Sequence, residues 1–297
     1  MRKRLSIAVA QPRCVAYDVV ANAEAHAAAV RAADARVVVF PEMSLTGYEL
    51  DALPVAPADE RLAPVVAACA ETGALALVGA PVPGPSIGVL AVDGDGAWVA
   101  YRKVHLHGEE VPRFVPGEPA VIDVDGWRLG LAVCRDTGVP EHAAKTAALG
   151  IDGYVAGVVH ADHEADVHGA RARRVAADHG VWVAVAAFAG PTGGGFARTS
   201  GRSGIWSAAG ELVAEASAAP MMLPVRSSPV ACSDAGTART EIRRGWPISA
   251  GRLWCGRPIL LSSRESFEVN GAASSQVGRC RCSVRLSRLA VGRGDSV

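Results

Sequence analysis

Leu129-Gly130-Leu131-Ala132-Val133-Cys134-Arg135-Asp136 decides the reading of this chain. A short apolar run, Leu129 to Val133, stops at a thiol followed by two charged residues, and helix-forming sequence resumes at Pro140-Glu141-His142. An apolar run of this length between polar boundaries reads as a buried strand, so the thiol stands where the strand leaves the sheet. Two other segments repeat the design. Val37-Val38-Val39-Phe40-Pro41-Glu42 runs a buried strand into Pro and then a carboxylate, and Tyr101-Arg102-Lys103-Val104-His105-Leu106 ends a strand in a lysine. Three strand ends thus offer Glu42, Lys103 and Cys134.

Outward from these segments, β-type runs alternate with Ala-rich helical stretches up to about Ala218, the pattern of an α/β domain. Strands are expected over 6–10, 36–40, 74–80, 87–92, 98–101, 121–124, 129–133, 153–158, 181–187 and 204–207. Helices are expected over 19–33, 60–72, 141–149 and 165–179. Asp93-Gly94-Asp95-Gly96 is a hairpin signal between two of the strands, so part of the sheet is antiparallel and a purely parallel doubly wound sheet is disfavoured.

The chain has 297 residues and is 50% hydrophobic, enough for a sizeable core, and its formal net charge is zero. Nothing in that balance argues for a nucleic acid or an anionic membrane as partner. The longest apolar runs fall far short of the roughly 20 residues of a membrane helix. Met1 to Gln11 is basic and then briefly apolar, but Gln11-Pro12-Arg13 interrupts it, so it reads as a first strand and the protein as cytoplasmic. The seven cysteines show no disulfide framework, which fits a reducing compartment. Cys69, on an Ala-rich helix, reads as a small core residue.

The neutral total hides two unlike parts. Residues 219–297 hold twelve Arg and no Lys against five Asp and Glu, a net of +7, and twelve of the chain's serines. No amphipathic period runs through 227–297, so the division expected is 1–218 as a catalytic domain and 219–297 as an atypical, irregular or disordered tail.

A thiol attacks an acyl carbon only as thiolate, so it needs a neighbouring base or cation. Glu42 and Lys103 supply both. The carboxylate can take the thiol proton, pass it to a leaving amine and later activate water. The ammonium, with the backbone N–H of Arg135, can offset the charge of a tetrahedral intermediate. No metal and no cofactor is needed.

At this point the chain resembles the nitrilase superfamily of carbon–nitrogen hydrolases, from about Ser6 to Ala216. Phe40-Pro41-Glu42 with Thr46-Gly47-Tyr48, Lys103-Val104-His105-Leu106, and Cys134-Arg135-Asp136 with Pro140-Glu141 occur in the family's order. Gln11-Pro12 with Asp18 and Asn22, Phe114-Val115-Pro116-Gly117 and Gly201 to Trp206 support it. The resemblance implies a four-layered α-β-β-α sandwich, and a homodimer formed through helical faces. It further implies Glu42 as general base, Lys103 as transition-state stabiliser and Cys134 as nucleophile forming a thioester. Glu110, four residues before Phe114, lies where the family has a second glutamate that positions substrate or lysine.

Three departures stand out. Arg135 follows the nucleophile where an aromatic is common, and its side chain either meets an anionic substrate or pairs with Asp136. His179 stands where Asn is common. After Ala216 the family continues into another strand and an extension used in dimer contacts, whereas Pro220-Met221-Met222-Leu223-Pro224 does not read as one; a missing strand would leave an exposed sheet edge or a lost dimer contact.

Three rival readings remain, one of them a catalytically silent scaffold, against which the intact Glu42, Lys103 and Cys134 argue. His160, Asp162, His163 and His168 crowd one segment and Cys280-Arg281-Cys282 another, but neither has the paired spacing of a structural zinc site. The basic tail could neutralise a polyanion's phosphates, yet no nucleic-acid-binding module is visible. The function expected is therefore hydrolysis, without metal, of a non-peptide C–N bond in a small amide or N-carbamoyl compound, with water as second substrate. The alternative is nitrile hydrolysis by the same three groups, or a poorly active relative whose basic tail binds polyanions.

Overall fold

Each central strand sends small residues to one face and larger ones to the other. In β1 (Ile7–Gln11), β2 (Val37–Val39) and β3 (Leu75–Val82), residues Ala8, Ala10, Val38, Ala76, Val78 and Ala80 face one cluster, while Ile7, Val9, Val37, Val39, Leu75 and Leu77 face another. Both faces are apolar, which is why these strands read as unbroken hydrophobic runs. The computed structural model describes residues 2–227. The chain divides into two units, Met1–Arg239 and Thr240–Val297, the second wholly outside the described residues.

Among the described residues two six-stranded sheets result. With β4 (Ser86–Val92), β5 (Ala97–Arg102) and β12 (Met221–Ser227), the first has the order β12-β1-β2-β3-β4-β5. The second has the order β11-β10-β9-β8-β7-β6, from β6 (Val121–Val124), β7 (Trp127–Val133), β8 (Gly153–Val158), β9 (Trp182–Ala187), β10 (Gly204–Trp206) and β11 (Leu212–Glu215). β1, β2 and β3 are parallel, as are β7, β8 and β9, and antiparallel strands flank them. The 93–96 hairpin joins β4 to β5, with Asp93 Oδ1 accepting from the N–H groups of Asp95 and Gly96.

The larger side chains of the two sheets meet each other. Ile7, Val39, Leu77 and Ile87 of the first pack with Leu129, Leu131, Val133, Val155 and Ile205 of the second. Burying a side chain of this size contributes about 1.5–3 kcal/mol. On the outer faces, α1 (Val19–Ala33) and α2 (Ala63–Thr72) cover the first sheet, and α4 (Pro140–Ala148) and α5 (Val167–His179) the second. This is the α-β-β-α sandwich expected. Asp18 caps α1 through the N–H of Ala21, and Pro64 opens α2, so the expected 60–72 helix begins as a 3-10 turn at Glu60–Leu62. Cys69 is buried on α2.

The expectation that no strand follows Ala216 is corrected. Met221–Ser227 forms β12 and pairs antiparallel with β1, from Ile7↔Ser227 to Gln11↔Met221. Pro224 falls where the register shifts between Val9 and Gln11, and an edge strand with a bulge tolerates a proline. Gln11 secures the approach: its Nε2 donates to the carbonyls of Ser217 and Ala219, and its Oε1 accepts from the N–H of Ser203. Of the tail assigned to 219–297, residues 228–297 lie outside the described residues. Among the described residues, no helix is long and apolar enough to cross a membrane.

Candidate active site

Glu42, Lys103 and Cys134 each sit just beyond a strand end, of β2, β5 and β7 respectively, and the paired sheets bring the three ends together. Two glycines make the approach possible. A Cβ on Gly157 of β8 would lie 2.6 Å from the Phe40 carbonyl oxygen and 2.9 Å from the Glu42 nitrogen; on Gly79 of β3 it would lie 2.3 Å from the Pro41 carbonyl oxygen. The Pro41-Glu42 turn is therefore clamped between backbones from both sheets. The Gly157 carbonyl also accepts from the Cys134 N–H at 2.9 Å, so one residue fixes the turn bearing the carboxylate and the turn bearing the thiol.

Lys103 is 1% exposed, and its Nζ bridges two buried carboxylates, at 2.7 Å from Glu42 Oε1 and 2.6 Å from Glu110 Oε1. Glu110 closes a 3-10 turn, Gly108–Glu110. It is far from a solvated loop carboxylate: Oε1 also accepts from the Tyr48 hydroxyl at 2.5 Å, and Oε2 from the His107 N–H at 2.9 Å. Glu42 Oε2 is buried without a hydrogen-bond partner. Orphaned oxygens of this kind are costly unless something uses them.

Burial pushes the Glu42 carboxyl up to about 7, against the opposing pull of Lys103 and with the Glu110 charge adding to the rise. Lys103 also shifts upward, but its neighbours rather than burial are the cause. Burial disfavours its charge, but Glu42, Cys134 and Glu110 together raise its pKa above the ordinary lysine value. Burial pushes the Cys134 thiol up to about 12, Glu42 adds to that, and Lys103 partly offsets it. The resting sulfur is a thiol, and its Sγ lies 3.4 Å from the Val159 carbonyl oxygen. Cys134 takes φ +41° and ψ −94°, a backbone state that costs on the order of 1–3 kcal/mol in a non-glycine residue. α3 (Arg135–Gly138) begins immediately after it.

Arg135 does not pair with Asp136. Its side chain is exposed, whereas Asp136 is fully buried and bonded to Val133, Tyr101 and His105. The cluster His160, Asp162, His163 and His168 separates: His160 and His168 are buried and stack with ring centroids 5.6 Å apart, while the side chains of Asp162 and His163 face solvent. Among the described residues, no three His, Cys, Asp or Glu side chains converge as metal ligands. Cys280 and Cys282 lie outside the described residues. Sequence reasoning gave no role to Tyr48, whose signal was its place in Thr46-Gly47-Tyr48.

Beside this cluster lies a cavity of about 520 Å³, whose lining includes Tyr17, Tyr48, Asp51, His107 and Arg113. Tyr48 and the His107 backbone contact both this cavity and Glu110, so the cavity adjoins the buried charges. The arrangement offers a thiol, a carboxylate with a free oxygen near neutral pKa, and an ammonium, which is the set acyl transfer requires.

The family profile described as carbon-nitrogen hydrolase matches residues 6–224. A relative in Pseudomonas protegens, the hydrolase in the pqqF 5′ region, is 32% identical over 167 residues. That match covers 50% of this chain and 58% of the relative's length. Among solved structures, a Cys→Ala variant of the Nesterenkonia AN1 amidase from the nitrilase superfamily superposes with a TM-score of 0.66 at 25% identity, covering 79% of this chain and 93% of that one. A Glu→Gln variant of the Nesterenkonia sp. AN1 amidase, with the acetamide moiety of fluoroacetamide added covalently at its active site cysteine, gives a TM-score of 0.66 at 26% identity over 79% and 94% of the two chains.

Proposed function

The chain belongs to the carbon–nitrogen hydrolase family, and on that premise we propose that it is an amidase releasing ammonia from small linear amides through a Cys134 thioester. The observation that carries this reading is the buried Lys103 bridging Glu42 and Glu110 beside the thiol. In the first step Cys134 Sγ attacks the amide carbon while Glu42 takes the thiol proton on its unpartnered Oε2. Lys103 Nζ and the N–H of Arg135, which as the first residue of α3 has no acceptor within the helix, receive the developing oxyanion. Collapse breaks the C–N bond as Glu42 returns the proton to the leaving nitrogen, so ammonia departs and the acyl group stays on sulfur. Water, deprotonated by Glu42, then attacks the thioester; the C–S bond breaks, Glu42 returns the proton to Cys134 Sγ, and the carboxylic acid leaves. Glu110 and Tyr48 hold Lys103 on this path. The covalent adduct at the cysteine of the Nesterenkonia amidase supports the same role for Cys134 here.

Ammonia release across short aliphatic amides, ω-amides of dicarboxylic acids, N-carbamoyl compounds and the matching nitriles tests the substrate class. Turnover of amides with the nitriles inert is the expected result. Nitrile turnover exceeding that of the corresponding amide would overturn the amide reading.

A further inference from the structure

Asp136 has no place in the steps above, yet it is fully buried and saturated with donors. Its Oδ2 accepts from the Val133 N–H at 3.0 Å and the Tyr101 hydroxyl at 2.7 Å. Its Oδ1 accepts from the His105 N–H at 2.8 Å and lies 3.0 Å from His105 Nδ1. Val133 immediately precedes Cys134, and Tyr101 and His105 flank Lys103 two residues away on either side. One carboxylate therefore ties together the strand ends that carry the thiol and the ammonium.

The partners specify a carboxylate. Two are backbone N–H groups that can only donate, one on each oxygen, so an Asn amide nitrogen would meet a donor in either orientation. Direction then propagates outward. The Tyr101 hydroxyl gives its proton to Asp136, so its oxygen accepts from His142 Nε2, 2.8 Å away, which must carry hydrogen. His142 Nδ1 is left to accept from the Tyr154 hydroxyl at 2.9 Å. Burial lowers the His142 pKa, in keeping with a neutral ring.

Resting on the reading of Cys134 as nucleophile, we propose that Asp136 is a positioning residue, holding the strained Cys134 turn in register with Lys103 and itself oriented by the chain Tyr154, His142, Tyr101. The backbone at Cys134 is of the kind that persists only where its surroundings over-determine it. A displacement of about 1 Å at a reacting group is enough to cost on the order of 10²-fold in rate.

The test uses the full chain and the rate at which fluoroacetamide alkylates Cys134, followed by intact mass. In that reaction the S–C bond forms, the C–F bond breaks, fluoride leaves and the thiol proton passes to Glu42. Asp136→Asn is expected to label about 10²-fold more slowly while its circular dichroism matches the parent's. In amide hydrolysis it should lower kcat and leave KM nearly unchanged. A folded Asp136→Asn that labels at the parent rate overturns the proposal. Should that variant not fold, ¹⁵N spectra of the unmodified protein decide: His142 is expected as the neutral Nε2–H tautomer, and the Nδ1–H tautomer would overturn the chain. An unmodified protein that resists labelling while Cys134→Ala still turns over amide sinks the nucleophile reading as well, an outcome distinct from either.

Discussion

Lys103→Met is expected to abolish measurable turnover and to destabilise the fold by about 3–5 kcal/mol, the cost of leaving a buried charge without its partner. Lys103 is the cation bonded to Glu42 and Glu110, and all three side chains are at most 2% exposed. Without it two carboxylates face one another in the protein interior, and the oxyanion loses a charged donor, an effect of about 10²–10³ in rate for one neutral donor. The stability loss should depend on pH with a definite sign. Glu42 already sits above the ordinary glutamate value with Lys103 in place, and removing the ammonium raises it further. A group whose folded pKa is raised favours the fold below its unfolded pKa and loses that contribution as pH rises. The deficit of Lys103→Met should therefore be largest in alkaline solution and shrink on acidification. Denaturant midpoints measured across pH, with ammonia release beside them, check both parts; a variant as stable as the parent at every pH would contradict the buried-charge account.

Glu42→Gln keeps the shape and the contact with Lys103 but removes the base. Turnover is expected to fall by about 10²–10⁴, the range of general acid–base catalysis, with KM little changed. In the unmodified protein kcat/KM should climb as pH rises through about 7, where Glu42 ionises, and then level off while Cys134, near 12, remains a thiol. That climb should vanish from the residual activity of Glu42→Gln. Persistence of the same climb in the variant would assign the base to another group.

What the sequence revealed and what it hid divide along physical lines. Strands β1, β2, β3 and β7 were legible because both their faces are apolar, Glu42 and Cys134 because each follows such a run with a reactive group, and Lys103 because it ends the half-exposed strand β5. β11 was not, since Leu212, Val213 and Glu215 are exposed and show no alternation between core and solvent. β12 was hidden by Pro224 within it, which only an edge position with a shifted register tolerates. The contacts of Glu110 with Lys103 and Tyr48, and those of Tyr101 with Asp136 and His142, join segments between 7 and 62 residues apart. No local period records such pairings, so only the family resemblance pointed to Glu110, and nothing pointed to the Asp136 chain.

The clamp around Pro41-Glu42 belongs with these hidden features. A glycine inside a strand ordinarily weakens it, yet Gly79 and Gly157 each occupy the place where a backbone from elsewhere passes too close for a Cβ. The buried charges depend on that fit: a site of three strand ends from two sheets is only as well placed as the sheets' spacing allows.

The central claim is that Cys134 carries the acyl group, and the direct measurement is intact mass after acid quench during steady-state hydrolysis of the fastest amide in the panel. The account predicts an acyl adduct on the peptide containing Cys134, with neither adduct nor ammonia release in Cys134→Ala. Undiminished ammonia release by Cys134→Ala, or an acyl group on any other residue, would contradict it.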